Sequence, residues 1–218
     1  MLRAAGDHQA GRRPGQPAQP GQTGSVSGLA QLQQAVRQHP VIGVLYGVDS
    51  LPALLGSDCR AAVVANIDLL LLPKALEVLT QQGILSIVNI DSIPGLAQDR
   101  GGVDYLQALG AVGVVSTRGS LMQRIQHAKL LAMQKVFVTD RSNLPRALDS
   151  VRTSHPDLVQ VMPGPVVPRI DPEDLRVFEP FIVSGFVTDE NDVRAALTAG
   201  AIGVTSHSTE LWAATRSP

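Results

Sequence analysis

Eight short runs of this chain are largely apolar at odd and even positions alike: Val41–Tyr46, Ala61–Asn66, Ile84–Ile90, Val112–Ser116, Lys135–Thr139, Leu158–Met162, Phe181–Ser184 and Ile202–Thr205. A strand of that kind has both faces buried, as in a parallel sheet covered on two sides. Between the runs lie Lys74–Gln82, Asp104–Leu109, Ser120–Ala132, Leu144–Ser154, Asp171–Val177 and Glu190–Ala199, each with apolar residues three or four apart. Asp189 opens one of these helices, and Gly83, Gly110 and Gly200 close three of them. Eight strands with helical crossovers predict a compact, closed (β/α)8 TIM-type barrel rather than an open doubly wound sheet. An open sheet would want a glycine-rich turn after its first strand, and Gly43 and Gly47 form no dinucleotide fingerprint. The first crossover, Leu51–Asp58, is short, so irregularity is expected there.

Only 3% of the residues are aromatic, so Val, Leu, Ile and Ala must build the core. Residues 1–27 carry almost no large apolar side chain and predict a disordered tail, because nothing there offsets the entropy of ordering it. Residues 28–216 are then a single barrel domain. Cys59 is the one thiol, too few for an internal disulfide or a cysteine-based zinc site, which fits a reducing cytoplasm. The longest apolar run, Ile67–Pro73, is interrupted by Asp68 and far too short to span a bilayer, and the first residues lack the apolar core of a signal peptide. No membrane partner is expected.

Lys+Arg number 18 against 19 Asp+Glu, a balance that excludes a polycation coating nucleic acid by charge alone. The balance is a cancellation. Residues 118–152 hold seven Lys+Arg against two Asp, and residues 157–194 hold eight Asp+Glu against three Arg. Such flanks either meet RNA phosphates, join subunits of a homo-oligomer, or simply face solvent.

In this fold the chemistry sits at the C-terminal ends of the strands. Those positions supply Asn89 and Asp91 after strand three, Thr117 and Arg118 after strand four, Asp140 after strand five, Gly185 after strand seven, and Ser206 and His207 after strand eight. Gly185 permits close backbone approach, and the SHST run opens a terminal helix whose free N–H groups and hydroxyls suit a phosphate. Ser208 or Thr209 serves equally well as a plain helix cap there. Arg118 suits a phosphate or a surface ion pair, and Asp91 and Asp140 suit ligand hydroxyls, acid–base work or turn formation. None of Lys74, Lys129 and Lys135 follows a strand, so no imine-forming lysine is expected. No His and carboxylate spacing marks a metal site, and no catalytic pair or cofactor is assigned. The site reads as one that holds a small phosphate ester; an isomerase or lyase of phosphosugars, with Asp91 and Asp140 as acid and base, is the alternative.

The stretches VNIDSIPGLAQDRGGVDYL (88–106), VGVVSTRGSLMQRIQHAKLLAMQKVFVTD (112–140), VQVMPGPV (159–166) and SGFVTDENDVRAALTAGAIGVTSHSTELW (184–212) resemble the glycerol-3-phosphate-responsive antiterminators. The resemblance implies a barrel that binds glycerol 3-phosphate as an effector and acts on leader mRNA of glycerol utilisation genes. It also implies that Gly185, Ser206 and the last helix start hold the phosphate, with Arg118, Asp91 and Asp140 at the family's polar strand ends. Two positions depart from the pattern: Asn89 stands where relatives commonly have His, and Ser184 replaces the first Gly of a Gly-Gly pair. RNA contact would fall to the basic flank, with Arg124, Lys129 and Arg146 as its candidates.

Overall fold

All eight runs become strands: β1 (Val41–Tyr46), β2 (Ala61–Ala65), β3 (Leu85–Asn89), β4 (Gly113–Ser116), β5 (Leu131–Phe137), β6 (Leu158–Met162), β7 (Phe181–Ser184) and β8 (Val204–Ser206). In a computed structural model that describes residues 27–213, neighbouring strands pair in parallel and β8 closes onto β1. The expected (β/α)8 barrel is therefore what the chain forms. Its described helices are α1 (Gly28–Gln38), α2 (Leu51–Leu55), α3 (Leu72–Gln81), α4 (Arg100–Ala108), α5 (Met122–His127), α6 (Leu144–Ser154), α7 (Pro172–Leu175), α8 (Glu190–Thr198) and α9 (Thr209–Ala213). The short first crossover is the five-residue α2. The tail expected over residues 1–27 lies outside the described residues, except for Ser27, whose hydroxyl accepts from the Ala30 N–H at 3.3 Å and caps α1.

Helix ends follow the local chemistry. Asp189 and Asp192 form a reciprocal capping box on α8, each carboxylate accepting a backbone N–H of the other residue. Two elements differ from the sequence reading. Helix α1 was not expected, although Leu29, Leu32, Ala35 and Val36 have helical spacing beside the low-complexity tail. Helix α5 stops at His127 instead of running to Ala132, because Lys129 turns the chain at φ +61° and β5 starts at Leu131. Residues 130–134 are apolar enough to fit either element, and neighbouring strands decide in favour of pairing.

The strand registers stack inward side chains in layers of four drawn from alternate strands. Near the base come Ile42, Ile87, Met133 and Ile182, then Val63, Val115, Gln160 and Thr205, then Val44, Asn89, Lys135 and Ser184. The interior thus changes from apolar to polar toward the C-terminal mouth. At the opposite end Leu32, Ala35 and Val36 of α1 join Ile42, Ala61, Leu131 and Leu158 in one buried cluster that closes the base. Burying each such Leu or Ile contributes roughly 1.5–3 kcal/mol.

His39 links α1 to α9. Its Nε2–H donates to the Trp212 carbonyl at 3.1 Å, and its Nδ1 accepts from the Val41 N–H at 3.1 Å, which fixes a neutral tautomer. Burial holds its pKa below the ordinary 6.5. The unfolded chain therefore binds a proton below pH 6.5 that the folded imidazole resists, and stability falls as the pH drops through that window. The slope from this one group is at most about 1.4 kcal/mol per pH unit. Thermal melts from pH 7 to 5 should show this loss, and His39→Gln should show a shallower one; equal slopes would remove His39 as the cause.

Candidate functional site

The polar layers place five side chains in the barrel end where β3, β5, β6, β7 and β8 finish: Asn89, Lys135, Gln160, Ser184 and Thr205. Asn89 and Gln160 are 7% and 3% exposed, and their amide oxygens Oδ1 and Oε1 have no hydrogen-bond partner. Thr205 donates to the Ser184 hydroxyl at 2.6 Å, so those two satisfy each other. Lys135 is half-buried beside Gln160, its register partner on β6. Among the described residues its ammonium makes no hydrogen bond or ion pair. Burial lowers its pKa from the ordinary 10.5, against the opposing pull of the Asp91 charge.

Of the predicted residues, Asn89 faces this interior, whereas Asp91 serves the loops around it. The Asp91 carboxylate accepts from the Ser116 hydroxyl at 2.7 Å, the Thr117 N–H at 2.6 Å and the Thr117 hydroxyl at 2.9 Å. It thereby ties the turn Ile90–Ser92 to the loop after β4. Thr117 spends both donors on that bond, and Arg118 is exposed with its guanidinium unpaired among the described residues. Asp140 is exposed and accepts from Ser142 N–H at 2.8 Å, Ser142 hydroxyl at 2.6 Å and Asn143 N–H at 3.0 Å. The Ser142 hydroxyl and those N–H groups hold its pKa below the usual carboxylate range. Each aspartate thus accepts several hydrogen bonds, Asp91 from the end of β4 and the loop after it and Asp140 from its own loop, which works against a paired acid and base.

The ends of β7 and β8 are shaped by close backbone approach. Gly185 sits at φ +77°, and its carbonyl accepts from the Gly164 N–H at 2.9 Å. A Cβ on Gly164 would lie 2.8 Å from that carbonyl oxygen, so the two loops meet only because residue 164 has no side chain. The Ser206 hydroxyl donates to the Val187 carbonyl at 2.7 Å and accepts from the Ser208 N–H at 3.1 Å, so it is buried outside the barrel bore. His207 is exposed at the mouth. Around the rim stand Tyr46, Phe137 and Phe186, which are 57%, 48% and 72% exposed. Cys59 lies outside the site, and burial pushes its thiol up to about 11.

A profile of the family described as "Glycerol-3-phosphate responsive antiterminator" matches residues 41–212, from β1 into α9. The chain belongs to that family. Two solved antiterminator-family structures share its fold. The glycerol uptake operon antiterminator regulatory protein of Listeria monocytogenes str. 4b F2365 is 22% identical over 79% of this chain and 94% of that one, with a TM-score of 0.73. A glycerol uptake operon antiterminator-related protein of Thermotoga maritima MSB8 is 22% identical over 80% and 98%, with a TM-score of 0.71. The uncharacterised Escherichia coli (strain K12) protein YgcP is 22% identical over 83% of this chain and 95% of its own length.

In this antiterminator-family barrel, sequence reasoning missed Lys135 and Gln160. Both were legible only through strand phase: Leu158, Gln160 and Met162 point one way, and Leu131, Met133, Lys135 and Phe137 do the same on β5. The sequence reading sets Lys135 at the start of its strand; with β5 running back to Leu131 it is the fifth of seven residues, in the layer nearest the C-terminal mouth, and still no lysine follows a strand. Arg124, Lys129 and Arg146 are exposed but line three separate surface depressions, with Lys129 toward the closed base. No helix among the described residues is long and apolar enough to cross a membrane.

Proposed function

We propose that glycerol 3-phosphate is the effector of this barrel and that the liganded protein acts on leader mRNA of glycerol utilisation genes to prevent termination. The observation that carries the ligand half is the pair of buried, unpartnered amide oxygens on Asn89 and Gln160. A buried acceptor left unsatisfied costs about 1–3 kcal/mol, and a ligand hydroxyl that donates to it recovers that cost. Glycerol 3-phosphate brings two hydroxyl donors on a three-carbon chain. Its phosphate would lie above them near Gly185, which carries no side chain of its own and at φ +77° packs against the Met162 methyl, 3.3 Å from where a Cβ would stand. The saturated Ser206 hydroxyl makes backbone N–H groups the better phosphate partners. The protein works as a sensor, not as an enzyme, and takes no cofactor.

Thermal shift with glycerol 3-phosphate, glycerol and inorganic phosphate tests this. At one hundred times its dissociation constant the effector should add about 2.7 kcal/mol of stability. Gly185→Asp should abolish the shift, since Asp tolerates a positive φ better than most residues and sets a carboxylate against the phosphate. An undiminished response would place the phosphate elsewhere.

The RNA half is supported by family membership and by the exposed Tyr46, Phe137 and Phe186, on which bases can stack despite the low aromatic content. Arg124, Lys129 and Arg146 would add phosphate contacts from the basic flank, and that component weakens steeply with salt. The action on RNA takes place in the cytoplasm.

A further inference from the structure

Lys135 is the one lysine that the strand registers aim into the barrel; Lys74 and Lys129 are exposed, and Lys74 is paired with Glu77 at 2.8 Å. It stands in one layer with Asn89 and Ser184 and pairs in register with Gln160. No carboxylate neutralises it at ion-pair distance among the described residues, and its layer-mate Asn89 and register partner Gln160 carry amide oxygens with nothing to accept. A half-buried amine in one interior layer with unpaired acceptors, at the C-terminal end of the barrel, suits a carbonyl compound better than it suits a structural ammonium.

We propose that Lys135 captures a small phosphorylated ketone or aldehyde as a reversible imine, so that the barrel has a covalent carbonyl-binding activity in addition to effector sensing. The phosphate and the three-carbon size of that ligand rest on the effector reading above; the amine chemistry rests on the layers alone. The unprotonated Nζ attacks the carbonyl carbon and forms the C–N bond, while the carbonyl oxygen takes a proton to become a hydroxyl. That hydroxyl can donate to Asn89 Oδ1 or Gln160 Oε1, which hold the carbinolamine in place. The C–O bond then breaks, the oxygen leaves as water, and nitrogen keeps one hydrogen as a protonated imine. In sum, ammonium and carbonyl give iminium and water, with no oxidant or reductant. Burial favours the neutral amine that attacks, and the Asp91 charge favours the cation that results.

The experiment incubates the full chain with dihydroxyacetone phosphate and cyanoborohydride at neutral pH, followed by intact mass and peptide mapping. One reduced adduct on Lys135 is expected, with loss of that adduct in Lys135→Met and in Lys135→Arg, the latter keeping the cation so that folding is preserved. Labelling spread evenly over Lys74, Lys129 and Lys135, or none on Lys135, would overturn the proposal. A parallel melt with glycerol 3-phosphate separates the two readings. A shift without an adduct removes the imine alone, and an adduct without a shift removes the glycerol 3-phosphate effector alone.

Discussion

Trp212→Ala is expected to cost about 3–5 kcal/mol of unfolding free energy, the largest single effect among these variants. The indole is 1% exposed and lies against β1 where Gly43 has no side chain; a Cβ there would meet Trp212 Cε2 at 3.5 Å. Its Nε1–H donates to the Ser206 carbonyl at 2.8 Å, and its own carbonyl accepts from the Asp58 N–H and the His39 ring, both at 3.1 Å. One residue therefore anchors α9 to β8, to α1 through His39, and to the loop before β2. Trp212→Phe retains most of the apolar contact but loses the indole N–H bond to the Ser206 carbonyl. It should lose about 1–3 kcal/mol. Urea titrations of the two variants measure both losses, and an unaffected Trp212→Ala midpoint would mean that α9 contributes nothing to the barrel.

Asp91→Ala comes second, at about 2–4 kcal/mol, because one carboxylate accepts three hydrogen bonds from the neighbouring loop. Asp91→Asn keeps an acceptor but loses the charge, and should forfeit about half as much. The loss should be local as well as global: hydrogen exchange at the Thr117 N–H should quicken in Asp91→Ala well before the core strands respond. An Asp91→Ala protein as stable as the parent would mean that the carboxylate serves a ligand rather than the loops. The same variant also removes the charge that opposes burial at Lys135, which lowers the pKa of that amine further.

The barrel was legible because strands buried on both faces need no phase to be recognised: Ala61–Ala65 and Phe181–Val183 are apolar whichever way they point. That same property hid the site. Gln160 inside LVQVM reads as a polar interruption until the registers with Lys135 and Ile182 show that it faces the bore. Lys135 was lost for a different reason, since an apolar stretch with one Gln fits the end of a helix or the start of a strand. Asn89, at the last position of β3, was found because strand ends are where this fold gathers polar groups. Asp91 and Asp140 were found by the same rule, but their hydrogen bonds run to Ser116, Thr117, Ser142 and Asn143 through loop geometry that spacing alone does not encode.

The cluster that α1 forms with the base of the barrel has a kinetic meaning. Among the described residues, Leu32, Ala35 and Val36 packed under Ile42, Ala61 and Leu158 close the base of the bore. A ligand taken up as proposed would pass Tyr46, Phe137 and Phe186 as it arrives and departs. For such a ligand, affinity would be set by the floor of the vessel and residence time by its lip. Substitutions at the lip would then lengthen or shorten the life of that liganded state without altering what the inner layers select.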